Sequence, residues 1–503
     1  MFSTVALLAI FVWLSLLARA RWRHGRGDRC LPSPPGLPLL GNLLDLVRRD
    51  LPIHFLELAR HHGPIFRLRF GAHDIVVLNS IELIREALMK KWSDFAGRPR
   101  SYTGDLISFG GKDLSLGDYT AAWKIQRRLA HSSLQRCQRT NLEALIVQGA
   151  QDLCQEFQRY GGTPVDLADD FSRHTCKIIA SLAFGTTFET HDPKFQEIHR
   201  CITDLVHLWG SPSIFALDFF PLYRKFPPAA LDKLLKVVER RDAFVKEQLE
   251  EHKKTFQAHE IRDITDNMIL FLKERGVETL NSMGDFDEQH VHMAIADLFI
   301  GGTETTASTL TWTVAFLIHH RQVQDTIYSE LCDALSGGRQ PTYSDREHLP
   351  FLNATIYEIL RLRPVAPLAV PHRTTRDTSI AGYSIPRDTT VITNLYGAHH
   401  DSKVWACPTQ FKPERFLEAE DPRDVQRNIL AFSTGARVCL GEALARMEIF
   451  LFLAHLLREF VFLPPSDTEL PDLNGIFGIN LRCKPFQVKI VPRAELAGGL
   501  SLA

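Results

Sequence analysis

Cys439 stands in the stretch FSTGARVCLG, residues 432–441, directly before the apolar run EALARMEIFLFLAHLLREF. A cysteine binds a metal only as thiolate, and a thiolate away from water needs positive potential beside it. The backbone N–H groups of a glycine-rich loop supply that potential, as does the first turn of the helix the apolar run predicts. Gly435 and Gly441 allow the backbone to turn sharply and to approach a flat cofactor. Arg437 is placed to pair with a carboxylate on that cofactor. This combination is what a thiolate-ligated haem asks for, since thiolate donation to iron favours O–O cleavage. A lone cysteine near glycines is more often structural; the full F-x-x-G-x-R-x-C-x-G spacing sets this one apart.

Other spacings carry chemistry only in combination. IGGTETTAS, Ile300 to Ser308, lies inside a long apolar-periodic segment. Its adjacent glycines weaken a helix, and the hydroxyls beyond them can bond back to freed carbonyls, which predicts a local distortion with room for dioxygen and water. EILR places Glu358 and Arg361 on one helix face, a pairing that alone is common on surfaces. WKIQRR places Trp123 and Arg127 on one face and turns Lys124 and Arg128 to its neighbour.

The elements that must hold these residues are mostly helical. Leu142 to Leu272 follows helical periodicity, interrupted by a proline-rich interval from Ser211 to Pro228. IFRLRFGAHDIVVLN, residues 65–79, alternates around Gly71 and predicts a β-hairpin; short strands recur near 379–393 and 484–491. The expected fold class is mainly α with small β-sheets. Phe2 to Ala18 is free of charge and is followed by Arg19, Arg21, Arg23, Arg26 and Arg29, which predicts an uncleaved membrane anchor with its basic flank, residues 1–29, in the cytosol. The proline-rich LPSPPGLPLLGN makes a stiff strap over residues 30–42. No obvious linker divides the chain after it, so one domain is expected over 43–495 with a short tail at 496–503.

A net charge of −1 argues against binding to nucleic acid. The nine cysteines form no C-x-x-C pair, which points away from zinc sites and disulfide frameworks and toward a reducing compartment. The chain also lacks a nucleotide-binding glycine fingerprint and an iron–sulfur cluster motif, so electrons for redox chemistry have to come from another protein.

Taken together, the cysteine loop, EILR, PERF (residues 413–416) and IGGTETTAS resemble the cytochrome P-450 family, in order and over nearly the whole chain. The resemblance implies a haem-thiolate monooxygenase with haem b ligated through iron by Cys439. It gives Glu304 and Thr305 proton delivery toward bound dioxygen, with Thr306 the neighbour most easily mistaken for Thr305. Trp123, Arg127, Arg437 and His372 are expected to clamp the haem propionates. Glu358, Arg361 and Arg415 are expected to form a buried charge network behind the haem, a structural role. NADPH–cytochrome reductase is the implied electron donor, with Lys124, Arg128, Arg136 and Arg139 candidate docking cations. An anchored member of this kind implies the endoplasmic reticulum membrane, with the catalytic domain facing the cytosol.

Within the family, tracts such as KKWSDFAGRP and VPHRTTR are similar to those of steroid hydroxylases. This implies oxygen insertion at carbon 21 of progesterone or 17-hydroxyprogesterone, with attack at carbon 17 the nearest alternative and a non-catalytic haem sensor or carrier a more distant one. A rigid apolar ligand needs an apolar pocket with few polar ends. Ile300, Val365, Leu368 and Val370 are candidates to line it near the iron, Asp297 to face it, and Trp209 to cover the steroid rings. Related enzymes carry an arginine pair toward the 3-ketone; this chain has Asp232 and Lys233 there, leaving Lys233 as candidate donor. The interval SIFALDFFPLYRKF is a candidate to dip into lipid.

Overall fold

The structure, a computed structural model, describes residues 30–37, 41–46, 48, 50–70, 73–140, 142–186, 188–189, 191–282, 286–335 and 338–497. The expected anchor at 1–29 and most of the tail at 496–503 lie outside them. Among the described residues, no helix is long and apolar enough to cross a membrane. The strap lies along the first strand: Arg67 N–H donates to the Pro32 carbonyl and Asn42 N–H to that of Arg69.

A central helix organises the site. α10 (Glu288–His319) starts at an Asp287–His290 capping box and is apolar nearly all round, so it runs through the core rather than over it. Around it, in chain order, come α1 (Leu51–His62), α2 (Tyr102–Ile107), α3 (Ala121–Thr140), α4 (Leu142–Arg159), α5 (Ala168–Phe184), α6 (Pro193–Trp209), α7 (Pro212–Phe219), α8 (Ala229–Thr255) and α9 (Ile264–Ser282). After it follow α11 (Arg321–Ala334), α12 (Pro350–Leu362) and α13 (Glu442–Glu459). α10 packs most extensively on α5 and also meets α3, α6, α12 and α13. The proline-rich interval holds a short helix, α7, and a turn at Pro221–Lys225, with Pro212 in the first turn of α7 where it breaks no hydrogen bond.

The hairpin forms as its alternation predicts. β1 (Ile65–Phe70) pairs antiparallel with β2 (His73–Leu78), Ile65 opposite Leu78 and Phe70 opposite His73. β2 continues parallel to β4 (Thr390–Thr393), which pairs antiparallel with β3 (His372–Arg373). β5 (Phe460–Leu463) and β6 (Lys489–Pro492) make a separate two-stranded sheet. One continuous apolar core reaches from Ile65 to Ile490, and a satellite of Phe55, Phe66, Leu68, Ile75 and Val77 sits under the hairpin. The mainly α architecture with small sheets is therefore the observed one.

Candidate active site

The cysteine loop is fixed by what it cannot accommodate. Gly435 has φ +78°, and a Cβ there would lie 1.8 Å from the Leu88 carbonyl oxygen. Only glycine fits both the conformation and the contact. A tight turn over Gly435–Arg437 follows, and Cys439 N–H donates to the Phe432 carbonyl at 2.9 Å. Gly441 has an ordinary backbone, and a Cβ there would enter open space. The Cys439 side chain is accessible although protein surrounds it, so it faces an interior space. Burial pushes its thiol up, with Glu442 acting in the same sense; the Gly441 N–H and the Arg127 charge pull toward thiolate.

Beside this space stands a cluster of cations that form no ion pair among the described residues, though the Asp113 and Asp118 charges favour Arg98 and Arg437 from farther off. Arg437 is buried and donates to the carbonyls of Ala96, Leu114 and Gly117. Arg98 is buried and donates to Ser115, Val370 and Pro371 carbonyls, and Arg127 to that of Val438. Their side-chain hydrogen bonds thus all end on neutral carbonyls. Burial lowers all three guanidinium pKa values, that of Arg437 to about 9; the Arg437 charge lowers Arg98 further, and the Arg127 charge lowers Arg437. His372 donates from Nδ1 to the Phe95 carbonyl at 2.8 Å, and burial and the Arg98 charge hold it well below the usual histidine range. A macrocycle with two carboxylates would give these guanidiniums ion-pair partners, and an accessible thiol faces the space it would enter. The residues fit a haem.

Trp123 takes a part different from the expected one. Its indole N–H donates to the Leu114 carbonyl at 3.0 Å, so it is not free for a propionate, and the ring lies under Arg437 instead. Helix periodicity places a side chain on a face but does not reveal a loop carbonyl that arrives from elsewhere. Arg98 escapes sequence reasoning because a single arginine within FAGRP has no distinguishing spacing; only the fold buries it.

On α10 the two glycines divide the work. A Cβ at Gly301 would meet nothing within 4 Å, so this face is open, whereas a Cβ at Gly302 would lie 2.4 Å from Ile179 of α5. Gly301 lines the space and Gly302 lets two helices close up. The helix is unbroken here, and the expected distortion is confined to Thr305, whose hydroxyl donates to the Gly301 carbonyl at 2.6 Å. Glu304 points elsewhere: Oε1 accepts from Ser172 and Thr203 hydroxyls, both at 2.9 Å, on α5 and α6. The structure does not join Glu304 to Thr305. Asp297 is half-buried, and its Oδ2 accepts the Leu114 N–H; burial and the nearby Asp113 charge push its carboxyl well up. Glu448 of α13 is also buried, beside Thr306, and burial pushes it up to about 8.

Glu358, Arg361 and Arg415 do meet. Arg361 donates to both Glu358 oxygens at 2.8 Å, and Arg415 Nε lies 3.1 Å from each. Arg361 also donates to the carbonyls of His399 and Pro408, and Arg415 to that of Ala406. The network therefore pins the segment that leads into the cysteine loop.

Of the pocket candidates, Ile300, Leu368 and Val370 are half-buried and Val365 is buried. Trp209, half-buried at the end of α6, donates its N–H to the Thr103 hydroxyl at 3.2 Å. Lys233 is misplaced as a steroid donor. On α8 Leu231 and Leu234 are buried and Lys233 is exposed between them, because 100° per residue turns it out to solvent.

A family model for cytochrome P-450 matches residues 31–490. The chain belongs to the cytochrome P-450 family. It is 45% identical over 500 residues to the steroid 21-hydroxylase of Bos taurus, covering 98% of both chains. Against the steroid 21-hydroxylase of Homo sapiens it is 44% identical over 494 residues, 97% of each chain. Among solved structures, a zebrafish cytochrome P-450 determined with progesterone is similar at TM-score 0.80 and 37% identity, covering 88% of this chain and 99% of that one. Membership makes the chain a haem-thiolate monooxygenase that uses dioxygen and a redox partner, with a steroid as its class of substrate.

Proposed function

We propose that this enzyme hydroxylates progesterone and 17-hydroxyprogesterone at carbon 21, giving 11-deoxycorticosterone and 11-deoxycortisol. The observation that carries this reading is the 45% identity to a steroid 21-hydroxylase across 98% of both chains. Haem, when bound, activates dioxygen so that one oxygen atom enters a C–H bond. Cys439 is its iron ligand, and Arg98, Arg127 and Arg437 neutralise its propionates, with His372 at their side. Trp123 holds Arg437 flat for that pairing.

The protein must hold the side chain of the steroid toward the open face at Gly301, because a primary C–H is intrinsically a poor site of attack. Ile300, Val365, Leu368 and Val370 supply apolar surface, and Trp209 flanks the far side. Asp297, whose carboxyl burial pushes well up, is the candidate polar contact for a steroid oxygen. Thr305 moves a proton on the oxygen side, and Glu304, which faces α5 and α6 and does not touch Thr305, is its source in this reading.

The electron donor in this reading is NADPH–cytochrome reductase. A hollow of about 350 Å³ lined by Trp123, Lys124, Arg127, Arg128, His131, Gly435 and Ala436 lies beside the cysteine loop. Lys124 and Arg128 are exposed at its rim and suit an acidic flavin domain; Arg136 is exposed on the same helix, and the Arg139 side chain lies outside the described residues. The endoplasmic reticulum membrane is the proposed site, through residues 1–29 and a second contact. Exposed Phe215, Phe220, Leu222 and Phe226 support that contact with lipid.

Mass spectrometry of products from holoenzyme, reductase, NADPH and progesterone tests the reading. The 21-hydroxy product is expected. A main product hydroxylated at carbon 17, or one with the side chain cleaved, overturns it.

A further inference from the structure

Glu304 ends a hydrogen-bonded chain that nothing described so far requires. Ser172 Oγ lies 2.9 Å from Glu304 Oε1 on one side and 2.8 Å from His199 Nε2 on the other. All three residues are buried: Ser172 is 6% exposed, His199 6% and Glu304 8%. A hydroxyl has one proton, and a carboxylate only accepts, so Ser172 donates to Glu304 and must accept from His199. That fixes the imidazole tautomer with its proton on Nε2 and gives the chain one direction.

The chain is also held rigid. Gly302 lets α5 close onto α10, and Thr175 of α5 donates its hydroxyl to the Thr303 carbonyl at 3.0 Å. Thr203 of α6 donates to the same Glu304 oxygen as Ser172, and Phe195 stacks on the His199 ring. Toward the outside, the charges that face His199 are Asp169 and Arg173 of α5 and Arg200 of its own helix; inward there is Glu304. Asp169 and Arg200 are exposed. Burial lowers the His199 pKa, which favours the neutral ring.

We propose that His199 and Ser172 form a proton inlet that reloads Glu304 from the surface between α5 and α6. The inlet rests on the monooxygenase reading, in which Glu304 gives up a proton in each turnover. Ser172 then passes its hydroxyl proton to Glu304 Oε1 and takes the Nε2 proton of His199, and water protonates Nδ1. One proton enters for each one spent, no electron moves, and no group keeps a net charge. The ring ends in its other tautomer and resets by exchange with solvent. Ser172 and His199 are positioning residues, since they act through Glu304.

The test uses holoenzyme with reductase and whichever steroid the parent turns over. Ser172→Ala and His199→Phe break the chain, Ser172→Thr keeps the hydroxyl, and His199→Gln keeps the donor without the ability to shuttle. The peroxide formed per NADPH should rise, and turnover should fall about a hundredfold, in Ser172→Ala, His199→Phe and His199→Gln, the low side of what a positioned proton donor contributes. Ser172→Thr should behave as the parent. A second readout needs no turnover: in protein labelled with ¹³C-histidine, Glu304→Gln should move the His199 ring signal and lower its titration midpoint, because a negative neighbour is gone. Parent-like peroxide in both Ser172→Ala and His199→Gln overturns the inlet, as does a His199 signal indifferent to Glu304→Gln. A product hydroxylated away from carbon 21 removes the proposed regiochemistry and leaves this measurement unaffected.

Discussion

The guanidinium carbon of Arg437 lies 3.7 Å from the centroid of the Trp123 ring. Burial has taken Arg437 out of water, and the indole face partly replaces the lost solvation, worth about 2 kcal/mol for a desolvated pair. Trp123→Leu removes that face and the bond to Leu114. The variant should lose haem faster than the parent in a transfer assay to apomyoglobin, and Trp123→Phe should fall between them. Equal loss rates in all three would show that the ring does not position Arg437.

Glu358 holds two guanidiniums at once, so removing its charge leaves the buried Arg361 and the half-buried Arg415 without a carboxylate. Breaking a buried pair of this kind costs about 3–5 kcal/mol. Glu358→Gln should therefore lower the urea midpoint strongly and yield mostly haem-free protein, by the ratio of Soret to protein absorbance. Arg361→Lys should do nearly as badly, since an ammonium cannot serve two carboxylate oxygens and the carbonyls of His399 and Pro408 together. A urea midpoint unchanged in Glu358→Gln would refute the structural role.

Thr305→Ala frees the Gly301 carbonyl and removes the hydroxyl from the open face. Haem content should be unchanged and steroid affinity should stay within about threefold, less than 1 kcal/mol. NADPH should instead go to peroxide. Coupling equal to the parent would move the proton role to Thr306, which stands beside Glu448.

Glu448 makes stability depend on pH. Its carboxyl is pushed up from 4.5 to about 8 by burial, so the fold favours the neutral acid. The contribution is complete below the unfolded pKa and is lost as pH rises through the folded one. The parent should lose stability between about pH 5 and 8, by at most about 1.4 kcal/mol per pH unit crossed. Glu448→Gln should gain in Tm relative to the parent as pH rises across that window. A difference in Tm that stays constant with pH would show that Glu448 does not titrate there.

How much of this was legible in the sequence differs by residue. The cysteine loop was readable because its residue types and spacing are local, a glycine and an arginine at fixed positions before the thiol, although the carbonyl that presses on Gly435 is that of the distant Leu88. Glu358, Arg361 and Arg415 were readable from the family pattern, which fixes partners as well as types. Arg98 was invisible, because burial of one arginine depends on loops that converge only in the fold. Lys233 was misread because matching a position does not give the direction of its side chain; the buried Leu231 and Leu234 do. The Glu304 partners were hidden for the same reason, since Ser172 and Thr203 come from two other helices.

Arg437 bonds to Ala96 and Gly117, 341 and 320 residues earlier in the chain. Synthesis runs from the N-terminus at about 5–20 residues per second, so Arg98 and Arg127 wait roughly 15 seconds to a minute for the cysteine loop. During that interval the cluster has neither its ligand thiol nor its anionic guest. Haem capture is therefore a late step in the life of the polypeptide, and a chain stopped anywhere before residue 439 leaves these cations without the loop that covers them in the finished fold.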